Sequence, residues 1–160
     1  MKLCFALPLI FSSALTAFSQ TLAVCPWLTT GSAAVALGGD VTMVAQAAGN
    51  WDGSCKFEHH SEKVTQRIEI LLSKTDSHPC PTGSTNLKAL GNGAVQCAHT
   101  NPNGDESDTI AGRVRDAYFV VTMTNVAGAI REPSEHAPSS DPFEASPLEQ
   151  VAEQVVGNLF

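Results

Sequence analysis

Along residues 41–73 and 95–123 apolar and polar side chains alternate, a period of two that turns one set toward a core and the other toward water. The clearest stretch is Val64 to Ser73. Val64, Ile68, Ile70 and Leu72 fall on one face, and Thr65, Arg67, Glu69 and Ser73 on the other. One wet face implies an antiparallel sheet covered on a single side. Val41 to Gln46 and Ser54 to His59 read as two further strands, with Cys55 and Phe57 facing in and Lys56 and Glu58 facing out. Asn50-Trp51-Asp52-Gly53 joins them, and Asp-Gly tolerates the positive φ of a tight hairpin. Val95, Cys97 and His99 mark a short strand after an Asn92-Gly93 turn. Ile110, Val114, Phe119, Val121 and Met123 extend the pattern through a hairpin that turns near Arg115-Asp116.

The period changes at the two ends. Residues 28–39 predict a short helix, capped at its start by Thr29 or Thr30 and ended by Gly38-Gly39. Ser146-Pro147-Leu148-Glu149 opens a second helix as a capping box with proline at the first helical position. Leu148, Val151, Val155 and Leu159 recur at helical spacing, with Ala152 and Val156 widening the stripe and Gly157 in place to end it. Residues 132–145 are rich in Pro, Ser and Glu and predict an exposed, flexible loop. An apolar helix face and an apolar sheet face are buried most simply against each other. The expected fold is therefore α+β: an antiparallel sheet with a short N-terminal helix and a C-terminal amphipathic helix packed on one face.

Residues 1–19 have the layout of a secretory signal peptide: Lys2, an apolar stretch from Leu3 to Phe18, and small residues at Ala17 and Ser19 ahead of a cleavage point before Gln20. The apolar run is shorter than the roughly 20 residues that span a bilayer. Residues 20–160 then form one secreted or periplasmic domain. Leu22-Ala23-Val24-Cys25 has lipobox spacing, although Val24 stands where a small residue belongs, and lipidation of Cys25 would leave an odd number of thiols.

Of five cysteines, Cys4 departs with the signal peptide, leaving Cys25, Cys55, Cys80 and Cys97. An even count in an exported chain favours two disulfides. Three connectivities are open to four cysteines. Local pattern favours Cys25–Cys55, and also Cys80–Cys97, which closes a Gly-rich segment with little apolar content. A competing reading takes His78-Pro79-Cys80 and Cys97-Ala98-His99 as a zinc set, against which stand the single-residue spacing and the oxidising compartment.

The 160 residues are 16% charged with a formal net charge of −7. That balance argues against a nucleic-acid binder and against docking on anionic lipid. No G-x-S-x-G, H-E-x-x-H, Walker A or G-x-G-x-x-G motif occurs. Adjacent His59 and His60 would point to opposite faces of a strand. The oxygen-rich run Asn101 to Asp108 lacks the glycine and distal glutamate of a calcium loop. The candidate partner surface is Trp51 in the first turn with Arg113, Arg115 and Tyr118 around the later hairpin. Arg113 and Arg115 are expected on one strand face, as a small anion or partner patch, or as a wet face with salt bridges to Asp116 or Glu69.

Three segments together resemble a group of bacterial exported domains, many of them actinobacterial lipoproteins. They are Cys25 with Leu28-Thr29-Thr30 and Ala33 to Gly38; Cys55 before Phe57; and Ala89 to Ala94 before a strand, with a C-terminal helix ending Val155-Val156-Gly157-Asn158-Leu159-Phe160. The resemblance implies helices against an antiparallel sheet and no activity. The functional expectation is a non-enzymatic, disulfide-stabilised domain without a cofactor or stable membrane insertion. It would bind a protein or small-molecule partner on the open sheet face or around the 50–53 turn. The alternatives are an enzyme inhibitor or envelope sensor module, and a metal-dependent enzyme using His78 and His99.

Overall fold

The computed structural model describes residues 24–47, 51–62, 64–75, 79–80, 84–88, 90, 92–100, 102, 104–126 and 145–160. The expected signal peptide, His78 and all of the expected 132–145 loop except Ala145 lie outside the described residues. Two helices, α1 (Thr30–Leu37) and α2 (Pro147–Gly157), flank seven strands in the chain: β1 (Thr42–Ala47), β2 (Gly53–His60), β3 (Thr65–Ser73), β4 (Thr85–Leu87), β5 (Asn92–Thr100), β6 (Glu106–Val114) and β7 (Ala117–Val126). All seven form one open antiparallel sheet in the order β1-β2-β3-β7-β6-β5-β4. A three-strand meander and a four-strand meander thus meet at the long-range pair of β3 and β7. The molecule is mostly β, with the two expected helices at its ends.

Both helices cover the same face. α1 lies over β2 and β3, α2 over β6 and β7, and the helices touch each other. Trp27, Phe57, Ile68, Ile70, Leu72, Ile110, Phe119, Val121 and Val155 fill the space between, all fully buried. The alternation read from Val64 to Ser73 holds within the strand, while Val64, one residue before it, is exposed. Cys25–Cys55 is bonded inside this layer, tying the chain before α1 to the inner face of β2. Trp27 is 1% exposed, and its carbonyl accepts a hydrogen bond from the Asn158 side chain at 3.0 Å.

The local signals at the helix ends act as the residues dictate. The Thr29 hydroxyl accepts from the Ser32 amide at 3.1 Å, and Gly38 takes φ 76° to close α1. In α2 the Ser146 hydroxyl accepts from the Glu149 amide at 3.2 Å, and the Glu149 carboxylate accepts from the Ser146 amide at 2.9 Å. The cap of α2 is Asn158, in a right-handed conformation, one residue past the expected Gly157, and its side chain donates to the Trp27 carbonyl. β5 begins at Asn92, earlier than the Val95 start read from the pattern, and it carries an irregularity between Asn92 and Val95. β4 is an addition to the expected elements.

The face away from the helices is mostly polar, with Val44 and Leu71 exposed on it. Across β6 and β7 the hydroxyls of Thr109 and Thr122 lie 3.1 Å apart, as do those of Ser107 and Thr124. Short side chains in the middle of the sheet leave Thr109 and Thr124 nearly buried although they point toward solvent.

Candidate partner-binding surface

Antiparallel pairing brings the β1–β2 turn, the end of β3 and the β6–β7 hairpin to one end of the sheet. Gly53 is opposite Leu72, Ser73 is opposite Tyr118, and Val114 pairs with Ala117 around the two-residue loop Arg115-Asp116. The four residues singled out in the sequence converge here as two stacked pairs. The Arg113 guanidinium lies 5.5 Å from the centre of the Tyr118 ring, its partner across the strands. The Arg115 guanidinium lies 5.9 Å from the Trp51 ring and 5.2 Å from the Phe160 ring. All three separations are those of cation–π contacts.

Arg113 and Arg115 do not share a strand face, contrary to the alternation. Arg115 sits in the hairpin loop with φ 53°, a left-handed conformation that glycine adopts far more readily. That twist turns its side chain away from Arg113 and toward Trp51 and the chain after α2. Its Nη2 donates to the Phe160 backbone oxygen at 3.4 Å, and its own carbonyl accepts from Arg113 Nε at 2.9 Å. Trp51 packs partly on the core, whereas Phe160 is 74% exposed. Phe160 therefore belongs to the surface, although no periodicity in the sequence singled it out.

Cations elsewhere on the open face are neutralised by carboxylates. Glu58 takes Lys56 Nζ at 3.1 Å and Arg67 Nε at 2.8 Å, and Arg67 also reaches Glu69 at 3.7 Å. Hydrogen bonding to Lys56, then to Arg67, with the positive charge of both, holds the Glu58 carboxyl below its ordinary 4.5 against the opposing effect of burial. At the end of the sheet the carboxylate nearest Arg113 among the described residues is that of the fully exposed Asp116, at 4.0 Å. The expected bridge to Glu69 is taken by Arg67 instead.

The remaining candidates separate. His59 and His60 do lie on opposite faces. His59 Nδ1 donates to the Asp40 carbonyl at 2.8 Å, and His60 faces solvent. His60 brings together a group that the sequence spacing did not reveal: its Nδ1 is 3.2 Å from the Thr65 hydroxyl and its Nε2 3.9 Å from Glu58. Cys80 and Cys97 are bonded to each other, which withdraws both sulfurs from the zinc set. His99 is exposed on β5. Among the described residues no group of three or more His, Cys, Asp and Glu is placed to hold a metal ion.

Comparison with protein-family models, curated proteins and solved structures finds no match for the chain.

Proposed function

We propose that this chain is an exported, non-enzymatic binding domain whose sheet end, formed by Trp51, Arg113, Arg115, Tyr118 and Phe160, takes an acidic segment of a partner. Export is supported by the signal-peptide layout of residues 1–19 and by two disulfides. Among the described residues no helix is long and apolar enough to cross a membrane.

One observation carries the binding reading. In a chain of net charge −7 two arginines are held against aromatic rings at the same end of the sheet, and one occupies a backbone conformation that glycine would take at lower cost. A guanidinium stacked on a ring keeps N–H edges for a carboxylate, and the ring fixes its orientation beforehand.

Tryptophan emission reads the site directly. The chain has two tryptophans, and Trp27 is sealed in the core, so a response to ligand reports Trp51. Titration with a hexaglutamate peptide is expected to change the emission saturably at low salt and to weaken as salt screens the charges. A flat titration, or one indifferent to salt, would overturn the reading.

A further inference from the structure

We infer that β1 is a self-pairing edge through which two copies of this chain join into one continuous fourteen-stranded sheet. β1 ends the sheet on one side, and among the described residues no strand lies beyond it. A strand edge exposes unpaired N–H and C=O groups, and proteins block such edges with charges, prolines, bulges or very short strands. β1 has none of these devices. Its six residues, Thr42-Met43-Val44-Ala45-Gln46-Ala47, carry no charge and no proline, and the ladder to β2 runs without a register shift. The opposite edge differs: β4 has three residues, followed by Lys88.

The occupant follows from the register. A two-fold axis perpendicular to the sheet keeps each residue on its own face, so opposed residues on the two β1 strands must differ by an even number of positions. An axis through Val44 sets Val44 against its own copy, Thr42 against Gln46, and Met43 against Ala45. Val44 points to the open face and is 58% exposed, a β-branched side chain left in water by the single copy. Pairing covers it with another valine. A hydroxyl then faces an amide, and Met43 and Ala45, which pack on the core side, extend that apolar layer across the axis. No like charges are opposed. A strand of six residues supplies few backbone hydrogen bonds and a small apolar contact to set against the cost of association, so the dimer is weak and concentration-dependent. The axis leaves the open face of both copies on the same side, and the Arg115 end is not part of the joint.

Sedimentation equilibrium of the purified chain over a wide concentration range tests this. The wild type is expected to pass from monomer to dimer. Val44→Lys opposes two like charges across the axis and is expected to weaken dimerisation at least tenfold, as is Val44→Glu. An equimolar mixture of the two variants is expected to regain a dimer, now a heterodimer. Because position 44 is exposed, each variant keeps the wild-type circular dichroism spectrum. A wild type that stays monomeric throughout, a dimer unaffected by Val44→Lys, or a mixture no more associated than its components would each overturn the inference. Arg115→Gly leaves the dimer unchanged, which separates this test from the binding surface.

Discussion

The imidazole of His59 occupies the space that a side chain at Gly39 would need: a Cβ built there falls against Cε1 and both ring nitrogens. The ring is held in that place by the bond from Nδ1 to the Asp40 carbonyl at 2.8 Å. This contact fastens the chain leaving α1 to the end of β2. Gly39→Ala is expected to destabilise the fold by about 1–3 kcal/mol, the usual cost of forcing an extra carbon into a filled site. The double variant Gly39→Ala with His59→Ala should recover part of that loss. Urea unfolding of the single and double variants checks it, and strictly additive losses would refute the contact.

The Lys56–Glu58–Arg67 group gives the sheet a pH dependence of known sign. Glu58 has its pKa lowered in the folded chain, so its stabilisation is fully present above the unfolded value and disappears as pH falls through the folded one. Glu58→Gln should therefore lower stability at neutral pH by about 1 kcal/mol, the upper range for partly exposed pairs. The gap to wild type should close as pH falls below 4.5. Thermal unfolding across the acid range reads both effects.

The two disulfides differ in setting. Cys25 and Cys55 are buried, whereas Cys80 and Cys97 are half-exposed on the open face. Access controls reduction, so limited dithiothreitol followed by alkylation should label Cys80 and Cys97 first, as read by peptide mass spectrometry. Loops of 30 and 17 residues correspond to about 3–4 kcal/mol each in the chain-entropy treatment. Replacing Cys25 and Cys55 by serine is expected to cost more, since it also opens the core.

Much of this was legible in the residues. Binary alternation located β3, β6 and β7, capping chemistry located both helices, and the placing of the cysteines gave both disulfide pairs: Cys80–Cys97 around a weakly apolar segment, Cys25–Cys55 from a cysteine ahead of the first helix and one in an early strand. The rest depends on relations that local pattern does not carry. β4 is three residues long, too short for alternation to register. The pairing of β3 with β7 joins strands far apart in the chain, and nothing in either strand names its neighbour. Alternation misplaces Arg115 because it assumes extended backbone, while φ 53° sends its side chain elsewhere. Phe160 entered the surface only through the way α2 ends beside the hairpin.

The central claim is that the arginine–aromatic end of the sheet exists to bind, and Arg115→Gly addresses it most directly. Glycine accepts the left-handed loop conformation without strain, which offsets the lost stacking, so the variant should unfold within about 1 kcal/mol of wild type by the usual size of exposed cation–π contacts. The measurement is hexaglutamate titration of this variant by Trp51 emission, alongside its urea midpoint. The account predicts an intact midpoint with the saturable response lost. A variant that binds as the wild type does, or one that loses stability heavily, would contradict it and make Arg115 a structural clasp.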